Sequence, residues 1–333
     1  MVTNKINYYS INESAYRKNI RRITMIPFRE VIHRGLNRIY KKLCGGLLPF
    51  PQNIHIELTN VCNLRCIMCP ISQQHRKQGF MDFEMFRKIV QQCVGQFSLE
   101  KMALMGLGEP FLHKEIIPMS NYAKKMGIHY IFTSTNGTLI SEEISEDIIL
   151  KSGFDMITFS MDGVNKDTYE KVRVNAKYEK VIQNILNFIK IRRKYRRKTP
   201  RINMQILVMK ETVKEIDDYV SFWKSKLDSQ DVIFLRDVDT FGGQVDDHRL
   251  NSQLPKIERV PCIQLWRDMS VSWDGLVTVC CKDVGYKLKV SNIFENSISE
   301  IWKGKQWKKI RDIHLDGDYN KIQLCKNCNE WNQ

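Results

Sequence analysis

The stretch CNLRCIMCP, residues 62–70, sets three cysteines in the spacing Cys-x3-Cys-x2-Cys: Cys62, Cys66 and Cys69. A disulfide takes two cysteines, and a closed structural zinc site takes four ligands. Three thiolates on one short loop leave a metal centre one ligand short. The open position must be filled by another residue, such as His75 on a zinc ion, or by a ligand that the protein does not supply.

A second group lies near the other end of the chain. Cys262, Cys280, Cys325 and Cys328 are separated by 17, 44 and 2 residues. The first pair brackets a predicted hairpin and the last pair forms a Cys-x2-Cys knuckle. Together they can close a four-thiolate site, which suits zinc and an iron–sulfur cluster equally well. Cys281 adjoins one of these ligands. It reads as a buried bystander, with a substitute ligand or a hydrogen-atom donor as the alternatives. Cys44 and Cys93 stand alone and read as structural.

Periodicity supplies the elements that must position these groups. Strands are predicted at 53–58 and starting near 101, 128, 155, 202 and 231. Between them helices are predicted from Asp82, an N-cap, and over 114–126, 144–152, 178–195 and 213–227. Six strands alternating with helices imply parallel βαβ units with right-handed crossovers. The expected fold is α/β, a partial (β/α)6 TIM-like barrel with a small C-terminal cluster-binding domain. In that tail, 269–281 reads as a hairpin with Asp274-Gly275 as its two-residue turn. Three regions follow: a basic helical extension and linker at 1–50, the barrel at 51–248, and the small domain at 249–333.

In parallel βα folds chemistry collects at the carboxyl ends of the strands. The three cysteines follow the first strand. The second ends in GLGEP (106–110), the third in STNG (134–137), the fourth in SMDG (160–163). Each motif alone reads as a turn or a helix cap. At one sheet edge beside three thiolates they describe a site, with glycine backbone for polar ligands and Ser, Asn and Asp for hydroxyls.

Taken together, the cysteine loop and these three motifs resemble the radical S-adenosylmethionine (SAM) superfamily, over about residues 53–240. One departure is Met68, where the superfamily usually has an aromatic residue. The resemblance implies a 4Fe-4S cluster held through three irons by Cys62, Cys66 and Cys69, with SAM on the fourth. Reductive cleavage of SAM would give a 5′-deoxyadenosyl radical that takes a hydrogen atom from the substrate. It also implies that Gly106, Gly108 and Glu109 meet the methionine amino group. Ser134, Asn136 and Ser160 would line the ribose side, and Arg173 would pair the SAM carboxylate. The tail resembles the SPASM and twitch auxiliary-cluster domains, and its cysteine count fits the shortened one-cluster form. Cys262, Cys280, Cys325 and Cys328 would then hold a second 4Fe-4S cluster.

The net charge is +15, much of it local. Residues 1–50 carry ten Lys or Arg against two Glu, and residues 190–201 carry eight more. The second run reads as the solvated end of a helix and its loop. Residues 13–43 read as a basic amphipathic helix packed on the main body, with peripheral contact to an anionic membrane as the alternative. No apolar signal-peptide core and no bilayer-spanning run is seen, so a cytoplasmic protein is expected. Its ten cysteines then read as metal ligands more than as disulfides.

An auxiliary cluster beside a radical site gives an electron somewhere to go. The expected reaction is therefore an oxidation, the dehydrogenation of a sugar or cyclitol alcohol. A peptide- or protein-modifying maturase and an epimerase, with Cys281 or Cys93 as hydrogen donor, are the alternatives. Expected partners are a small-molecule, glycan or peptide substrate and a reducing electron donor such as flavodoxin or ferredoxin. The rival from another class is a zinc-stabilised nucleic-acid binder using the positive charge, which leaves the strand-end loops unused.

Overall fold

The computed structural model describes residues 47–245, 248, 259–328 and 331. The predicted helix at 13–43, Cys44 and most of the 1–50 extension lie outside the described residues.

Six parallel strands run β1 (Asn53–Ile56), β2 (Lys101–Ala103), β3 (Ile131–Thr135), β4 (Met156–Ser160), β5 (Arg201–Val208) and β6 (Val232–Asp237). Between them lie α1 (Phe83–Cys93), α2 (Ile116–Lys125), α3 (Glu142–Lys151), the short α4 (Lys166–Val172), α5 (Tyr178–Lys194) and α6 (Ile216–Lys224). Asp82 caps α1 as its side chain predicts, accepting from the amides of Glu84 and Met85. The sheet order is β6-β5-β4-β3-β2-β1-β7-β8-β9, an open array rather than a closed barrel.

The tail does not stand apart from this sheet. Its strand β7 (Asp268–Val271) pairs parallel with β1 over its whole length, and β8 (Leu276–Thr278) and β9 (Lys289–Asn292) continue antiparallel. The hairpin turn is wider than the predicted two residues: pairing stops at Val271 and resumes at Val277, with Gly275 at φ +82°. Helices α7 (Gln264–Arg267), α8 (Ile298–Lys303), α9 (Lys305–Leu315) and α10 (Gln323–Lys326) complete the tail. Trp302 and Trp307 are fully buried with ring centres 4.9 Å apart, and Arg311 stacks on both.

Successive side chains of a strand point to opposite faces. One face carries Ile54, Ile56, Met102, Ile131, Ile157, Ile202, Met204 and Ile206, all fully buried. The other carries His55, Ser134, Ser160, Gln205, Phe234 and Ser270. Buried parallel sheets are usually apolar on both faces. Here the second face is polar and partly accessible, with Phe234 40% exposed. The helices pack on the first face and leave the second partly accessible.

The basic run at 190–201 is only partly solvated. Arg192 is fully buried and its guanidinium binds Asp231 and Asp228, and Arg193 binds Asp228. The expectation of a purely solvated run fails at Arg192, because acidic partners ahead of β6 reach back to α5; Arg193 keeps to the exposed side.

Candidate cluster and cofactor site

The cysteine loop leaves β1 and is clamped by the segment that ends α4. Arg65 N–H donates to Val174 O at 3.0 Å, and Ile67 N–H to Val172 O at 3.1 Å. Cys62, Cys66 and Cys69 are partly buried free thiols. Burial pushes Cys62 up and Cys69 to about 12, with the neighbouring loop cysteines adding to it. A metal centre there must draw the protons off as it binds. Met68 is buried among Val172, Met209 and Val238.

Arg173 follows α4 directly. Its Nε donates to Asp162 at 2.7 Å and its Nη1 lies 3.6 Å from Cys66 Sγ. Burial works against its charge, but Asp162 and Cys66 outweigh that and hold the guanidinium above its usual range. Asp162, from the SMDG loop, is fully buried and also accepts from Leu207 N–H at 2.7 Å.

The GLGEP and STNG loops are tied to each other and to the cysteine loop. Glu109 is buried and accepts from Thr135 Oγ1 at 2.7 Å, from Asn136 N–H at 2.8 Å and from Phe111 N–H at 3.2 Å. Burial raises its carboxyl above the usual range despite those donors. Asn136 Nδ2 donates to Asn63 Oδ1, inside the cysteine loop, at 2.9 Å. Asn136 Oδ1 accepts from Thr138. Gly106 and Gly108 pack where no side chain fits: a Cβ on Gly106 would meet Glu57 at 2.6 Å, and one on Gly108 would meet the Thr59 carbonyl at 2.4 Å. Ser134 and Ser160 stand on adjacent strands of the polar face with hydroxyls 3.2 Å apart.

At the other end, Cys262, Cys280, Cys325 and Cys328 line one pocket, which holds about 430 Å³ of empty space counting its open mouth. Burial pushes Cys262 and Cys325 to about 11 and Cys280 well above its ordinary value. Cys281 is not among the lining residues; it is exposed, with Sγ 3.7 Å from Gln264 Oε1. The predicted buried bystander is thus exposed. Cys93, the last residue of α1, is buried in the core. Gly242, at φ +69° after β6, packs on Leu324 O and brings that loop against the knuckle. Lys282 lines the pocket and forms an ion pair with Asp239, which also binds Arg236 of β6.

A model of the radical SAM superfamily matches residues 56–222, half of the chain. The chain belongs to the radical SAM superfamily. A second model, of the SPASM iron–sulfur cluster-binding domain, matches residues 262–329. As a radical SAM protein with that domain, the chain uses a 4Fe-4S cluster, SAM and auxiliary iron–sulfur chemistry. A tungsten-containing aldehyde ferredoxin oxidoreductase cofactor-modifying protein of Pyrococcus furiosus is 25% identical over 314 residues, 82% of this chain and 86% of that one. The structure of BtrN in complex with AdoMet and 2-DOIA is similar in fold, with TM-score 0.58, 19% identity and coverage of 84% of this chain and 93% of that one. Streptococcus suis SuiB bound to precursor peptide SuiA gives TM-score 0.65 at 14% identity, covering 97% and 80%. Among the described residues no helix is long and apolar enough to cross a membrane.

Sequence reasoning missed α4, whose end clamps the cysteine loop. It also gave Asp162 only a general role in holding hydroxyls, whereas here it anchors Arg173. Asn63 was missed too, although its place inside CNLRC was a usable signal. His314 and Arg259 at the rear pocket carried no local pattern.

Proposed function

We propose that this radical SAM enzyme dehydrogenates a small polyhydroxylated substrate of the sugar or cyclitol class. In this reading Cys62, Cys66 and Cys69 hold the SAM-binding cluster, and Cys262, Cys280, Cys325 and Cys328 hold one auxiliary 4Fe-4S cluster. SAM and a cluster held by the front cysteines would supply hydrogen-atom abstraction from the substrate, and a cluster held by the four rear cysteines would supply an acceptor for the electron that the oxidation releases.

The observation that carries the reading is the rear pocket. Four cysteines line it, as many as the irons of a cube, so a cluster held by all four would offer no open iron to a substrate and would suit electron transfer. The chain's own residues do the rest. Arg173 sets a positive charge against Cys66, where it would pair the SAM carboxylate. Glu109 organises the two loops that face the methionine end, with Gly106 and Gly108 allowing the close approach. Asn136 fixes the STNG loop to the cysteine loop, on the ribose side. Ser134 and Ser160 offer hydroxyls on the polar face, where a polyol could exchange its water for protein donors. A reduced flavodoxin or ferredoxin would load the front cluster, and the cytoplasm is the compartment that fits that chemistry.

A second reading is modification of a peptide or protein-bound group; Streptococcus suis SuiB, similar in fold, is bound to a precursor peptide. One experiment separates the two. The reconstituted enzyme is incubated anaerobically with SAM, reductant and either a panel of sugars and cyclitols or a panel of peptides. The first reading requires 5′-deoxyadenosine in equal amount to a product two hydrogens lighter, with deuterium passing from a labelled carbinol carbon. Equal turnover with peptides and none with polyols would overturn it in favour of the second.

A further inference from the structure

The rear pocket carries two nitrogen donors that no protein group accepts. His314, on α9, is 1% exposed and lines the pocket with the four cysteines. Its Nδ1 stands 3.3 Å from the backbone nitrogen of Cys262. A backbone N–H can only donate, so Nδ1 is the acceptor and the ring hydrogen sits on Nε2. Nε2 is buried without a partner.

Arg259 is the second. It also lines the pocket, and its Nη1 donates to the Cys325 carbonyl at 2.6 Å. Its guanidinium lies 4.3 Å from the centre of the Tyr319 ring, and that ring meets His314 edge-on at 5.1 Å. Its Nε is buried without a partner. The two donors are therefore fixed in place by contacts to the cysteine segments themselves. Burying an N–H with nothing to receive it destabilises a fold. The thiolate and sulfide sulfurs of a bound cluster are acceptors of the kind both groups lack.

We propose that His314 Nε2–H and Arg259 Nε–H donate hydrogen bonds to sulfur atoms of the auxiliary cluster and raise its reduction potential. Reduction adds negative charge to a centre already ringed by four thiolates, and donors to sulfur stabilise the added charge most in the reduced state. A raised potential makes the cluster a better electron acceptor, which the proposed dehydrogenation needs. The proposal rests on the iron–sulfur reading of the tail, and iron content reports on that reading separately.

The test uses the full chain with Cys62, Cys66 and Cys69 replaced by alanine, reconstituted so that only the auxiliary cluster is read. Potentials are measured by redox titration followed by electron paramagnetic resonance. His314→Phe and Arg259→Met should each shift the reduction equilibrium about tenfold against reduction, about 59 mV for one electron. His314→Gln, which keeps an acceptor for Cys262 N–H and a donor, should restore most of it. Iron present with potentials unchanged in both variants would overturn the proposal alone. A parent chain without iron would overturn it together with the cluster reading. If a variant loses its cluster, pulsed resonance on the parent with 15N-histidine decides. Coupling of the reduced cluster to a histidine nitrogen and to a proton lost in heavy water is expected, and its absence overturns the proposal.

Discussion

Arg173 places its Nη1 3.6 Å from the sulfur of Cys66 while its Nε donates to Asp162 at 2.7 Å. The cation is thus shared between a buried carboxylate and the cysteine loop. Asp162 is fully buried, so removing the arginine leaves its charge without a counter-ion. Breaking a buried pair in this way costs about 3–5 kcal/mol. Arg173→Met is expected to lose stability of that order in denaturant unfolding and to hold less iron at the front site. Arg173→Met combined with Asp162→Leu should recover much of the stability but not the iron. If Arg173→Met unfolds like the wild type, the pair is not what anchors the loop.

Metal content distinguishes the two cysteine groups. Reconstituted wild-type protein should carry about eight irons, about four for each cluster. Replacing Cys62, Cys66 and Cys69 by alanine should leave about four, and replacing Cys262, Cys280, Cys325 and Cys328 should leave the other four. Cys281→Ala should leave the total unchanged, because its thiol lies outside the pocket that the other four line. Zinc in place of half the iron would refute the auxiliary-cluster assignment and the electron-acceptor argument with it.

Glu109 gives a dependence on pH. Burial raises its carboxyl above 4.5, so the folded chain keeps this proton to higher pH than the unfolded chain does. Between 4.5 and the folded value the native state binds more protons, and stability falls as pH rises. Glu109→Gln removes the titration. The stability of wild type relative to this variant should therefore decline as pH rises from 4.5 to 7. Denaturant midpoints of the two proteins at both ends of that range give the comparison, and a constant difference would contradict it.

The strand–helix alternation and the strand-end loops were legible because periodicity and glycine-rich punctuation are local signals. Both cysteine groups were legible because thiols at those spacings have few other uses. What was not legible depended on distance in sequence. Arg192 looked like one more charge in a basic run, and only its partners Asp228 and Asp231, beyond β5 in the chain, let it be buried. The joining of β7 to β1 rests on pairing across more than two hundred residues. The polar face of the sheet was available in principle. NIHIEL and INMQILV alternate polar with apolar residues, unlike strands buried on both sides, and His55, Asn203 and Gln205 mark the polar side. The tuning of the rear pocket had no such mark, since His314 meets Cys262 only through the fold.

Gly108 tests whether the front loops need their close packing. A Cβ at this position would lie 2.4 Å from Thr59 O and 2.5 Å from Val61 O. Both are backbone atoms of the segment that leads into Cys62, so neither can yield without moving the cysteine loop. The amide of the next residue, Glu109, donates to that same Val61 carbonyl at 2.8 Å and fixes the approach. Gly108→Ala should destabilise by about 1–3 kcal/mol, the usual cost of overpacking. It should also weaken SAM binding by the reconstituted protein, since Glu109 would shift with its neighbour. Gly285→Ala is the control: the nearest atoms to a Cβ there are of the flexible Lys287 side chain, at 3.5 Å, and the change should be close to neutral. Calorimetry of SAM binding and of unfolding reads both effects. A Gly108→Ala protein that binds SAM and melts like the control would show that the loop can take a side chain and that glycine is not required there.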